Sequence, residues 1–299
     1  MMAAMHKGWI IGALCLLLAS PARAETRRRM VMVDGRRRTY WLYVPASHGP
    51  AAPLLIALHG HGGNGQMMQR LTGLDALADR EGVVVTYPDG TGWHGMRPLS
   101  WNAGGCCGYA QGAGVDDLAF LRTLINDVAS VVPLDRERVY VTGISNGAML
   151  AHRAGCELPG IRGIAPVAGT LSVTTCDPAQ PVSVVAFHGT ADGYVPYAGG
   201  RGSRRHDDRV DLAVPEAIAR WATADGCGAA TADVIRNAPQ RVTQRTYECP
   251  AGIGVALITI DGGGHAWPGG QRVWRFGNAP PALSADDLMW KFFEAHRRP

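Results

Sequence analysis

Gly143-Ile144-Ser145-Asn146-Gly147 sets a serine among glycines, directly after the apolar run Val139-Tyr140-Val141 and before a stretch of helical spacing. A sharp strand-to-helix turn of this kind lifts a hydroxyl out of a sheet, and larger side chains at the flanking positions would clash. The helix N-terminus that follows offers partial positive charge to a developing oxyanion. The plain alternative is an ordinary glycine-flanked turn, but the strand and helix on either side favour a nucleophile. A serine hydroxyl needs a general base to become reactive, and the base needs an orienting acid. Asp192 fits the acid: it closes His188-Gly189-Thr190-Ala191-Asp192, just past the apolar run at 182–187. His265 fits the base, in Gly264-His265-Ala266-Trp267-Pro268-Gly269 after the run at 255–260. Serine, then acid, then histidine is the chain order expected when the partners follow successive strands of one sheet.

The rivals are weaker. Asp207, Asp208 and Asp211 lie in the polar stretch 201–211, which reads as a surface insertion, and Asp261 stands too near the histidine. His152 falls inside the helix after Ser145 and is expected to point away from the site. His94 and His206 read as loop surface, and His296 is close to the C-terminus. An oxyanion needs N–H donors, of which one is expected from the backbone of Asn146. The second is expected from the backbone of His61, in the glycine-rich loop Leu58-His59-Gly60-His61-Gly62-Gly63-Asn64-Gly65. That loop has neither the Lys-Ser/Thr ending nor the glycine spacing of a phosphate cradle. Trp101 and Trp267 sit in loops near these motifs and could stack on an acyl group or a sugar, as could Tyr194 and Tyr197; loop packing is the bland alternative.

Such residues need a rigid frame. The stretches 30–33 and 38–44 around Asp34-Gly35 read as a β-hairpin, because both turn positions tolerate positive φ. Apolar runs at 54–58, 83–87, 139–141, 161–167, 182–187 and 255–260 read as strands, with a further one at 246–249. Helical spacing marks 67–80, 118–128, a segment from about 146, 214–224 and 284–296, with Ser284 as a candidate N-cap. Buried strands alternating with amphipathic helices make an α/β fold, a mostly parallel sheet covered on both faces, here with an antiparallel hairpin at its start.

Residues 1–24 read as a cleavable export signal: Lys7, an apolar run around Leu14, then Ala22-Arg23-Ala24. Residues 25–299 then form one catalytic domain. The formal net charge of +4 falls to +2 once Lys7 and Arg23 are removed, so nucleic-acid binding is not called for; nor is a membrane anchor. Six cysteines remain after the signal. An even count in an exported chain implies disulfides. Their connectivity stays open; loop length favours Cys156–Cys176 and Cys227–Cys249, which would leave Cys106 and Cys107 as a vicinal pair. No C-x-x-C pair or matching histidine spacing supports a metal site.

Together with Ser100-Trp101-Asn102-Ala103-Gly104-Gly105-Cys106-Cys107-Gly108 and Val115-Asp116-Asp117, the motifs quoted above resemble the secreted polyhydroxybutyrate depolymerase-type esterases. These are similar to feruloyl and acetylxylan esterases of carbohydrate esterase family one. The resemblance covers most of the chain after the signal. It implies an α/β-hydrolase fold, a triad of Ser145, Asp192 and His265, an ester substrate, and neither metal nor organic cofactor. Members often carry a small residue where this chain has His61. No separate polymer-binding domain is legible, so feruloyl or acetyl ester cleavage stands level with polyester cleavage. A peptidase on the same fold and a non-catalytic secreted binder are the rival functions; the first would cleave amides, the second would bind without turnover.

Overall fold

The apolar runs pair into one sheet, and the motifs fall at its strand ends. The computed structural model describes residues 24–205, 207–271 and 283–298. The expected export signal lies outside the described residues except for Ala24, and so does His206. β1 (Glu25–Val33) and β2 (Arg36–Val44) are antiparallel, joined by Asp34 and Gly35 at φ 47° and 73°. β1 starts five residues earlier than the hydrophobic pattern indicates, and takes in Arg27, Arg28 and Arg29. It is an edge strand, where charged side chains stay in solvent and discourage pairing with another chain. β3 (Ala52–Leu58) is buried throughout.

The helical stretch after β3 is divided into α1 (Gly65–Leu71) and α2 (Leu74–Glu81). Asn64 caps α1 by accepting from Met67 N at 2.9 Å, and Gly73 breaks the run by donating its N–H to Asp286 Oδ2 at 2.9 Å. β4 (Val84–Pro88) follows, then a long loop holding the short helix α3 (Gly108–Gly112). Next come α4 (Asp117–Ala129), β5 (Leu134–Ile144), α5 (Asn146–Glu157), β6 (Gly163–Val167) and β7 (Ser183–Gly189). The chain closes with α6 (Val214–Ala224), β8 (Ala230–Arg236), β9 (Val242–Tyr247), β10 (Val255–Ile260) and α7 (Ala285–Ala295). β8 was not foreseen from its composition, because it is an exposed edge strand with no buried alternation to read.

Among the described residues the strand order is β1-β2-β4-β3-β5-β6-β7-β10-β9-β8. The six strands from β4 to β10 in that order run parallel, and both flanks are antiparallel. One apolar layer packs α4, α5 and α6 on the sheet; the other packs α1, α2 and α7. Side chains alternate along β7: Val184 and Ala186 belong to the first layer, Val185 and Phe187 to the second. No helix among the described residues is long and apolar enough to cross a membrane.

Cys156 is paired with Cys176 and Cys227 with Cys249, at Cα separations of 4.9 and 4.1 Å; Cys106 is bonded to Cys107. The first ties the end of α5 to the loop before β7. The second ties the end of α6 to the end of β9. Most of the described residues of 201–211 are exposed, as expected of a surface insertion, but its last residue is tied down. Asp211 is buried and bonds Arg205 and Arg209, at 2.6 and 2.8 Å, which draws that segment onto the body of the protein.

A buried ion pair joins the hairpin to the first layer. Arg38 on β2 donates to Asp117 Oδ1 at 2.7 Å, with both side chains almost wholly enclosed. The second carboxylate oxygen accepts from Asn102 N at 2.7 Å, and the guanidinium lies 4.0 Å from the Phe120 ring centre. Removing one partner of such a pair strands a buried charge and typically costs about 3–5 kcal/mol. Asp117→Ala should therefore lower the unfolding free energy by that amount in urea titrations. Arg28→Ala, on the exposed strand β1, should change it by no more than about 0.5 kcal/mol.

Candidate active site

Ser145 follows the last residue of β5 and is the N-cap of α5, with φ 59° and ψ −121°. A non-glycine residue there carries roughly 1–3 kcal/mol of backbone strain that its surroundings must hold. They do so by closeness. A Cβ on Gly143 would stand 2.7 Å from the carbonyl carbon of Gly147, and one on Gly147 would stand 2.6 Å from the carbonyl oxygen of His59. Glycine at both positions lets α5 press against the ends of β3 and β5. Ser145 N donates to Val167 O at 2.9 Å, which fixes the turn to β6. From residue 139 to 152, Ser145 alone is not fully buried. The hydroxyl is thus raised out of an otherwise closed strand and helix.

Asp192 lies three residues past the end of β7, and His265 five past the end of β10. These strands are parallel neighbours, with Gly189 opposite Ile260. Their register brings the two loops together. His265 Nδ1 lies 2.7 Å from Asp192 Oδ2, and both side chains are buried. Asp192 Oδ1 accepts from Tyr194 N and Val195 N at 2.8 and 3.0 Å. His188 Nε2 stands 3.3 Å from Oδ2. Burial alone would raise this carboxyl, but the hydrogen bonds from His188 and His265 outweigh it and hold the group below the usual carboxylate range. Asp192 is therefore an ionised acceptor, and the Nδ1–H of His265 donates to it.

On the other side of Ser145, a Cβ on Gly60 would lie 3.4 Å from the Ser145 Cβ. The glycine-rich loop after β3 therefore runs directly beside the serine. His59 anchors it: Nδ1 donates to Gly60 O at 2.7 Å, and Nε2 accepts from Gly90 N at 2.9 Å. His61 packs its ring against Gly108, where a Cβ would come within 2.8 Å of the imidazole. Asn146, whose side chain sequence reasoning passed over, clamps the facing loop: Oδ1 accepts from Trp101 N at 2.8 Å and Nδ2 donates to Trp101 O at 3.0 Å. Arg209 was also passed over. Its Nη1 rests on the sulfurs of Cys106 and Cys107 at 2.7 and 2.9 Å.

Two expectations are corrected. The indoles of Trp101 and Trp267 are 0% and 1% exposed and cannot stack on a substrate in this conformation. Trp101 Nε1 donates to His59 O at 2.8 Å, and Trp267 Nε1 donates to Asp286 Oδ1 at 3.0 Å, so both serve the core. Tyr194, half-buried with its ring 5.1 Å from that of His265, is the aromatic beside the candidate base. His152 is buried in the first layer, where Nδ1 accepts from Trp221 Nε1 at 2.9 Å.

A family model described as "Esterase PHB depolymerase" matches residues 38–179, a stretch that contains His61, the cysteine pair and Ser145 and ends before Asp192. Feruloyl esterase B of Piromyces equi is 32% identical over 233 residues, covering 76% of this chain and 42% of that protein. The chain thus spans less than half of that relative's length. NocK of Nocardia uniformis subsp. tsuyamanensis, which bears the name of an esterase, is 32% identical over 294 residues, covering 89% of this chain and 80% of that one. An acetyl xylan esterase from Aspergillus awamori has a similar fold, with a TM-score of 0.62 at 16% identity over 89% of this chain and 98% of that one. The fold is that of the α/β-hydrolases.

The enclosed histidines make acid stability measurable. Burial holds His59 down at about 4 and His152 at about 3, against an ordinary value of 6.5. The folded protein resists protons that the unfolded chain accepts below about pH 6.5. This contribution is whole above that pH and is lost as pH falls toward 4 and then 3. Unfolding free energy measured by denaturant at fixed temperature should drop between pH 7 and 4. His59→Gln, less stable at pH 7, should lose roughly 3 kcal/mol less across the same interval.

Proposed function

This chain belongs to the polyhydroxybutyrate depolymerase-type family of carboxylic-ester hydrolases, and from that premise we propose that it is an exported serine esterase with Ser145 as nucleophile, His265 as base and Asp192 as acid. The observation that carries the reading is the strained, half-buried Ser145 turn at the same C-terminal end of the parallel strands as the bonded Asp192–His265 pair. His265 accepts the hydroxyl proton on Nε2 as Ser145 Oγ attacks the ester carbonyl. Asp192 holds the imidazole in that tautomer and stabilises its cationic form. The oxyanion rests on the N–H groups of His61 and Asn146. The N–H of Asn146 lies in the first turn of α5, where backbone donors have no partner within the helix. The alcohol leaves with the proton from His265, and water then repeats the sequence on the acyl-enzyme.

Residues 25–299 act in this reading as a single catalytic domain, delivered to the periplasm or the medium by the signal at 1–24. Disulfide bonding in the rest of the chain suits an oxidising compartment. The names of the relatives put feruloyl esters, acetylated xylan and hydroxybutyrate esters at the head of the substrate panel. Tyr194 beside His265 supports an acyl pocket with one aromatic wall.

Purified protein should release acid from at least one of methyl ferulate, acetylated xylan, a soluble hydroxybutyrate trimer and p-nitrophenyl acetate. Ser145→Ala should abolish that turnover, and Asp192→Asn should lower kcat by about 10⁴. Undiminished hydrolysis by Ser145→Ala would refute the assignment. Saturable binding with no hydrolysis of any ester would point to a binder instead.

A further inference from the structure

Behind the Asp192–His265 pair lies a set of buried polar groups that the acyl-transfer steps do not use. His188 is on β7 at the parity of Val184 and Ala186, so it faces the layer of α4, α5 and α6. His152, on α5, is buried in the same layer and stacks beside Trp221 of α6, with ring centres 6.3 Å apart. The partners of the two imidazoles dictate where their protons sit. Trp221 Nε1 can only donate, so His152 Nδ1 accepts and carries no proton, which puts the proton of the neutral ring on Nε2. Val195 O can only accept, so His188 Nε2 donates to it at 2.8 Å, which in the neutral ring leaves Nδ1 an acceptor.

Both remaining nitrogens, His152 Nε2 and His188 Nδ1, are enclosed and have no hydrogen-bond partner among the described residues. One is a donor and the other an acceptor. A buried polar atom left unpaired typically costs about 1–3 kcal/mol, so two of opposite sense in one layer are better satisfied together. The rings are near enough for charge on His188 to act on His152.

We propose that one enclosed water joins His152 Nε2–H to His188 Nδ1, so that Trp221, His152 and His188 form a single hydrogen-bonded file that ends against Asp192. This rests on the reading of Ser145, Asp192 and His265 given above. In the file Trp221 donates to His152, His152 through the water to His188, and His188 Nε2–H to Val195 O, with Asp192 Oδ2 3.3 Å from the same nitrogen. The donors run in one sense along the file, so each bond polarises the next. Oδ2 is also the oxygen that His265 uses. His188 and His152 are positioning residues: they fix the orientation of Asp192 and link it to α5, whose N-cap is Ser145.

The test pairs imidazole nitrogen NMR with kinetics on p-nitrophenyl acetate, for wild type, His188→Leu, His188→Gln and Ser145→Ala. Wild type should show His152 protonated on Nε2 alone, with slow exchange of that proton. His188→Leu should move the His152 signals, speed that exchange, shift the His265 Nδ1 proton and lower kcat about tenfold with KM nearly unchanged. His188→Gln places an amide N–H where Nε2 stood and should recover most of kcat without restoring the His152 signals. A His152 protonated on Nδ1, or His152 signals that neither His188 variant disturbs, would overturn the relay. The spectra need no turnover: wild-type hydrolysis by Ser145→Ala would sink the nucleophile assignment alone and leave the relay to be judged by the imidazole signals.

Discussion

Helix α5 meets the ends of β3 and β5 with no side chain between them, and that close approach sets the geometry around it. The Gly147 backbone lies where any Cβ would strike the carbonyls of Leu58 and His59. Because the helix starts so near the sheet, the chain must turn within a single residue, and Ser145 takes the strained backbone. The same approach brings the glycine-rich loop after β3 alongside the serine. It also places the Asn146 amide where it grips the backbone of Trp101 on both sides. One steric constraint thus sets the exposure of the hydroxyl, the path of the loop beside it and the seat of the loop opposite.

The polar groups around this junction are enclosed and bonded, which makes the site stiff. His59 uses both ring nitrogens to tie its loop to Gly60 and Gly90. Asp192 receives two backbone N–H groups on one oxygen and imidazoles on the other. Arg38 and Asp117 play the corresponding part under the long loop before α4. Such groups resist reorientation, because a buried polar atom that loses its partner pays the desolvation cost without return. Preorganisation of this kind allows dipoles to act on a developing charge without first having to reorganise.

Much of the frame was legible in the sequence because local signals agreed. Asp34-Gly35 marked the hairpin turn, Ser284 marked the start of α7, and unbroken apolar runs marked the parallel strands. The motifs around Ser145, Asp192 and His265 could be read because each follows such a run, and strand ends are where a parallel sheet gathers its loops. What could not be read depended on tertiary contacts. Trp101 and Trp267 sit in loops by sequence, yet those loops fold inward and bury them. Gly73 splits a continuous helical pattern because Asp286, far along the chain, takes its N–H. Asp211 looked like surface until Arg205 and Arg209 closed around it. His188 and His152 carried no distinguishing spacing, since their meaning lies in which partners can only donate or only accept.

Asp192 and His265 reach one another through the register of β7 against β10, where Gly189 stands opposite Ile260. Everything between those strands, α6 and the β8–β9 hairpin included, is a long detour that returns to a position already set by the sheet. The turn at the tip of that hairpin is therefore free to vary in length over evolutionary time: a longer one adds only a slowly growing closure entropy and leaves the distance between carboxylate and imidazole alone. The architecture separates what must stay constant from what can diversify, so new recognition surfaces can be grafted onto the β8 edge while the bonded Asp192–His265 pair stays in place.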